Sequence, residues 1–204
     1  MSINSIMSQG FFSDDELHEI GFAKIGKNVF LDKSVRIYGA NNIHLSSYIR
    51  IDAFSVLSAS SAGLFIGKFV HLGTGVSILG KEKVVIEDFC GLSSKVSIFS
   101  SNDDYSGSAL TNPLIPDQFR RVINAPVLLK KHVIVGSGSV ILPGIEIGTG
   151  AAVGALSFVN KSVPDFAVVS GNPIRKIGTR DKGILDREND FLQFLGVNKN
   201  ENLS

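Results

Sequence analysis

Residues 129–161 read LKKHVIVGSGSVILPGIEIGTGAAVGALSFVNK. Aliphatic side chains stand at Leu129, Val135, Ile141, Ile147, Val153 and Val159, six positions apart, and Val133, Ser139, Ile145, Ala151 and Ser157 each follow four positions after one of them. A period of six fits neither the 3.6-residue repeat of an amphipathic helix nor the alternation of a half-buried strand. It fits a short strand and a corner, repeated around a coil, and such a repeat decides the architecture before local propensity is weighed. Each coil leaves backbone groups open above and below that only the next coil satisfies. The aliphatic residues then form columns down a narrow triangular core.

The same period runs upstream. Ile25, Leu31, Ile37 and Ile43 keep it; it slips by two to Leu45, Ile51 and Leu57, then resumes as Ile66, Leu72, Ile78 and as Ile86, Leu92, Ile98. Short polar insertions, SASSAG at 58–63 and LGKEK at 79–83, separate the phases. Residues from about 99 to 126 abandon the period and hold SSNDDYSG, DQFRR and three of the six prolines, which predicts a long excursion loop, the usual place for function on a rigid scaffold. At the start, Ser13 followed by DDELHEI gives a cap, an acidic first turn and a short helix ended by Gly21, so residues 1–24 are expected to be a helical cap. The coil is expected over 25–173, closing at Gly171, Asn172 and Pro173. In the tail, 174–204, Ile184, Leu185, Phe191, Leu192 and Leu195 predict a short helix packed back on the coil, with Asn198–Ser204 frayed.

Composition narrows the function classes. The 204-residue chain is 44% hydrophobic, and its 21 glycines suit many tight corners. Its formal charge of +1 provides no general field for nucleic acid or an anionic membrane. One cysteine, Cys90, excludes an intrachain disulfide framework, and no His or Cys pairs stand at metal-ligand spacing. With no signal-like start and no apolar run long enough to span a bilayer, the expected location is the cytoplasm. GTGAAVGA, from Gly148, lacks the spacing and the strand-to-helix setting of a dinucleotide loop. His18 and His44 read as surface residues, and Cys90 as small inward packing.

The repeat, the stretch VGSGSVILPGIEIGTGAAVGALSFVNKSVP and the closing GNPIRKI together resemble the hexapeptide-repeat acyltransferases, over about residues 25–180. The resemblance implies an all-β solenoid, a left-handed parallel β-helix, where the general preference for right-handed β crossovers would suggest the opposite hand. It also implies a homotrimer with sites between subunits, and transfer of an acetyl group from acetyl-CoA to a sugar amine or hydroxyl, with no metal. Carried over by position, the acyl donor would lie along Ser137, Ala155, Asn160 and Lys161. Small side chains there let the pantetheine arm approach the backbone, and Lys161 meets a phosphate as a point charge. Arg175, Lys176 and Arg180 would form a second cationic cluster.

One departure concerns the base. The family's histidine at the start of the excursion is missing; the segment reads Asn102, Asp103, Asp104, Tyr105, Ser106, Gly107. A histidine suits deprotonation of a hydroxyl, whereas a carboxylate is a weak base for an alcohol unless burial or a like charge raises its pKa. A sugar amine asks less, because a neutral amine is itself a strong nucleophile. The expected catalytic residues are Asp103 and Asp104, or His132 reached across a subunit boundary. Asn102, Tyr105 and His71 are expected to orient the acceptor. The rival reading is a β-helix that has lost catalysis and serves as a binding or scaffold protein.

Overall fold

A computed structural model describes residues 10–196 of the chain. The strands of the coil fall into three parallel sheets, the faces of a triangular prism. The first face stacks Lys24–Ile25, Ile43–Leu45, Leu64–Ile66, Val84–Ile86, Val127–Leu129 and Glu146–Ile147. The second stacks Val29–Leu31, Ile49–Ile51, Val70–Leu72, Gly91–Leu92, Ile134–Val135, Ala152–Val153 and Ala167–Ser170. The third stacks Arg36–Tyr38, Val56–Ser58, Ser77–Leu79, Ser97–Phe99, Val140–Ile141 and Phe158–Val159. This is the expected all-β solenoid.

The six-residue period is the core. On the first face Leu45, Ile66, Ile86, Leu129 and Ile147 lie in register. The third face aligns Ile37, Leu57, Ile78, Ile98, Ile141 and Val159 in the same way. Apart from the half-buried Ile37, every residue in these two columns is almost wholly buried. Each is worth about 1.5–3 kcal/mol relative to exposure. Equivalent positions are 18 residues apart after the excursion but 20 or 21 before it. The surplus is spent at the corner between the third and first faces, where Gly39–Asn42, SASSAG and LGKEK lie. The predicted phase slips are therefore local bulges at one corner, and the excursion is the largest of them.

The corner between the first and second faces is built differently. Asn28, Tyr48, Phe69, Phe89, His132 and Phe166 occupy it with φ between 55° and 63°, a backbone region costly for residues with a Cβ. The strain is offset in two ways. From Tyr48 onward the N–H of each donates to the preceding coil, as in Tyr48 to Lys27 O at 2.8 Å and Phe89 to Lys68 O at 2.8 Å. The rings also stack: Tyr48 on Phe69 at 4.8 Å, Phe69 on Phe89 at 4.9 Å and Phe89 on His132 at 5.1 Å, contacts worth roughly 0.5–1.5 kcal/mol each.

Two helices pack against the prism. Helix α1, Asp14–Glu19, is the short helix expected after Ser13; Ser13 and Glu16 form a reciprocal capping box and Leu17 is buried. After Pro173 the chain reverses, and Arg175–Thr179 pairs antiparallel with Ala167–Ser170, a strand the sequence pattern did not announce. Helix α2, Ile184–Phe194, then lies along the aromatic corner. Phe191 meets Phe69 and Phe89 edge-on at 5.2 and 6.2 Å. Glu188 binds Lys131 Nζ and, at 2.7 Å, His132 Nε2.

Candidate active site

The excursion leaves the third face after Phe99 and returns at Val127. Its root is tied down: Ser101–Asn102 pairs antiparallel with Ile123–Asn124, and Ser101 Oγ donates to Asn124 Oδ1 at 2.7 Å. The two aspartates that follow have different fates. Asp103 is exposed, and its carboxylate carries no hydrogen bond among the described residues. Asp104 accepts from Ser106 N and Oγ, Ser108 N and Oγ, and Ala109 N, at 2.7 to 3.1 Å. The Ser106 hydroxyl and amide, helped by Ser108 and Ala109, hold its carboxyl well below the usual carboxylate range. Asp104 is thus a weak proton acceptor and a strong loop anchor. Tyr105 projects into solvent at 88% exposure, and Asn102 lies half-buried in the root strand.

His132 does not join this group. It lies at the aromatic corner, is 4% exposed, and its Nε2 is taken by Glu188, so within the chain it has no opening toward the loop. Burial alone would raise the Glu188 pKa, but the Lys131 and His132 hydrogen bonds outweigh it and hold that carboxyl below its ordinary value. His71 points outward from the middle of the second face, the face opposite the corner that bears the excursion. It bonds Asp52 Oδ2 at 2.8 Å, and Arg50 Nε donates to Asp52 Oδ1 at 2.7 Å. Burial opposes ionisation of Asp52, yet these two partners keep its pKa below the usual value. The three residues line a groove of about 1210 Å³ whose walls include Phe11, Phe30, Tyr48 and Phe69. Arg50 and Asp52 went unremarked in the sequence. The signal was there: Arg50 and His71 occupy the same position in successive coils.

The residues expected to hold the acyl donor border the third face in its last coils. Ser137 and Ala155 are exposed at the corner between the second and third faces, stacked one above the other, and Leu156 N donates to Ser137 O at 2.8 Å. Gly136 permits this approach: a Cβ there would stand on Ala155 N and 2.8 Å from Ala155 Cα. Asn160 and Lys161 are exposed at the other edge of that face, on the excursion's own corner. They lie two coil spacings beyond its root, roughly 10 Å at the separation of adjacent strands. The second cationic cluster does not form. Arg175 pairs in register with Ser170 at one end of the antiparallel strand and Lys176 follows it, while Arg180, past the other end, donates to His132 O at 2.8 Å and Gly150 O at 3.3 Å. Its guanidinium is spent on holding the aromatic corner.

Cys90 is buried among the aliphatic columns, and burial pushes its thiol up to about 12, which leaves it inert as a nucleophile. Among the described residues no group of His, Cys, Asp and Glu is disposed to hold a metal ion, and no helix is long and apolar enough to cross a membrane.

No protein-family model matches the chain. Over 181 residues it is 39% identical to the dTDP-4-amino-4,6-dideoxy-D-glucose acyltransferase of Escherichia coli, covering 89% of this chain and 94% of that protein. The galactoside O-acetyltransferase of Lactococcus lactis is 27% identical over 172 residues, covering 81% and 69% of the two chains. Among solved structures, the N-acyltransferase AntD from Bacillus cereus, in complex with dTDP and 3-hydroxybutyryl-CoA, superposes with a TM-score of 0.89 at 39% identity over 92% of this chain and 98% of its own. A serine-to-cysteine mutant of AntD has also been solved with dTDP-4-amino-4,6-dideoxyglucose and coenzyme A. The chain belongs to the hexapeptide-repeat sugar acyltransferases, enzymes with the left-handed parallel β-helix fold that draw the acyl group from a coenzyme A thioester.

Proposed function

We propose that this enzyme N-acylates a dTDP-linked amino sugar of the 4-amino-4,6-dideoxyhexose class. The observation that carries the reading is the free carboxylate of Asp103 at the loop root, where the family's histidine is replaced. The kinship to the dTDP-amino-sugar acyltransferase supports it. AntD variants were made at a serine and at an aspartate ten residues later, and this chain repeats that spacing as Ser93 with Asp103 and Ser94 with Asp104. Because Asp104 is committed to five donors, Asp103 is the one able to accept a proton.

In the reaction the neutral amine attacks the thioester carbonyl and forms the C–N bond. Asp103 removes the ammonium proton, the C–S bond breaks, and that proton passes to the departing sulfur, so that coenzyme A leaves as the thiol. Backbone N–H groups steady the oxyanion of the tetrahedral intermediate. The acyl group is acetyl, delivered along Ser137, Ala155, Asn160 and Lys161, with Arg175 and Lys176 near its phosphates. Asn102 and Tyr105 orient the sugar. His71, joined by Arg50, serves the nucleotide half.

His71 and Asp103 lie on opposite sides of one prism, so a site using both needs two chains, and we take the enzyme to be a homotrimer with sites between subunits. Two features support the assembly. Phe54 and Leu156 are 71% and 77% exposed at the corner flanking the third face, and Arg120 Nε is buried in the excursion with no hydrogen-bond partner among the described residues. The product belongs, on this reading, to the cytoplasmic supply of sugars for a surface polysaccharide.

The test is thiol release from acetyl-CoA and 3-hydroxybutyryl-CoA with dTDP-4-amino-4,6-dideoxyglucose, other amino sugar nucleotides and neutral sugars, with the product mass measured. A mass gain of one acyl group on the amino sugar is expected. Release with neutral sugars alone would overturn N-acylation, and no release with any acceptor would revive the scaffold reading.

A further inference from the structure

We infer that Asp104 is a positioning residue for the reaction, the pin that presents Asp103 to the acceptor amine. The inference rests on Asp103 as the base. Nothing apolar anchors the loop at this point: Asp103 and the four residues Tyr105–Ser108 are all exposed, and Gly107 turns the chain with φ 80°. Two polar ties remain. One is the strand pair of Ser101–Asn102 with Ile123–Asn124, just before Asp103. The other is the Asp104 carboxylate just after it. Oδ1 accepts from the amide and hydroxyl of Ser106. Oδ2 accepts from the amide and hydroxyl of Ser108 and from Ala109 N.

Every partner of Asp104 is a donor, and both oxygens are used. That arrangement requires an ionised carboxylate, because an amide in its place would turn an NH₂ group toward N–H and O–H donors. It also explains why two adjacent aspartates do not compete for one role. The first keeps its lone pairs free, and the second spends all of its own on the backbone that carries the first. Asp103 thereby stands between two fixed points, where a displacement of about 1 Å would cost on the order of 100-fold in rate.

The experiment compares Asp104→Ala, Asp104→Asn, the double variant Ser106→Ala/Ser108→Ala and Asp103→Asn. Readouts are kcat, the KM for acetyl-CoA, the thermal midpoint and amide hydrogen exchange of residues 105–109. Both Asp104 variants should lower kcat roughly 10- to 100-fold, leave the acetyl-CoA KM within about twofold, keep the thermal midpoint and speed exchange at Ser106, Ser108 and Ala109. The double serine variant keeps the amide donors and should fall between them and the wild type. Asp104→Asn at wild-type kcat, with Asp103→Asn inactive, overturns the positioning role and leaves the base assignment standing. Asp103→Asn near wild type with Asp104→Asn inactive overturns both, because the base would then be Asp104 itself.

Discussion

On the proposed reading Asp103 carries the chemistry, because among the described residues its carboxylate accepts no hydrogen bond while the neighbouring Asp104 accepts five. Removing a general base typically costs 10²–10⁴-fold, and an amine acceptor places the loss toward the lower end, since the neutral amine attacks without prior deprotonation. Asp103→Ala should therefore lower kcat about 100-fold while the dissociation constant for acetyl-CoA, measured by calorimetry, stays within about twofold. Unchanged turnover removes the assignment. At the donor end, Gly136→Ala puts a methyl group onto Ala155 and should weaken acetyl-CoA binding by at least about tenfold, alongside a destabilisation of about 1–3 kcal/mol. The sequence pointed toward both ends: the missing histidine marked Asp103, and the family resemblance carried the donor to Ser137 and Ala155. It did not separate Asp103 from Asp104, because neighbouring aspartates differ only in the donors that a folded loop brings to them.

Among the elements, helix α2 has no fully buried residue, so its place depends on a few contacts: Phe191 on Phe69 and Phe89, and Glu188 on Lys131 and His132. Phe191→Ala should cost about 1–3 kcal/mol, read from urea unfolding. The Glu188 clamp adds a pH dependence. Its folded pKa lies below the unfolded value, so its contribution is complete above the ordinary glutamate range and is lost as pH falls through the folded value. The chain has no tryptophan, so Phe191→Trp supplies a single fluorophore. Its emission should shift to the red on acidification below the ordinary glutamate range, and the shift should vanish when Glu188→Gln is added. A tryptophan whose emission ignores pH across that range rules the clamp out. The helix itself was legible from its apolar spacing, but its seat was not. The aromatic corner beneath it draws residues from four coils at intervals of 20 residues or more, and a six-residue period is blind to what stacks across coils.

For the whole molecule, the prism geometry separates the two halves of the proposed site. The excursion leaves one corner, and the Arg50, Asp52 and His71 group lies on the opposite face, so no motion of a single rigid coil brings them together. The proposed trimer would resolve this by setting the loop of one copy against its neighbour. Such an interface would cover exposed apolar side chains at the corner between the second and third faces, where Leu156 stands at 77% exposure. A charge buried there without a partner costs several kcal/mol, enough to divide the assembly. Leu156→Asp should convert a trimer of 21.8 kDa chains into monomers on light scattering, with the thermal unfolding of each coil still cooperative. Turnover should fall with the trimer. Mixing this variant with Asp103→Ala under exchange conditions gives the sharper result: if sites are shared, turnover depends on which copies meet, and it departs from the sum of the two measured apart. Full activity in a monomeric Leu156→Asp enzyme means that one chain suffices, and the division of the site between copies fails with it.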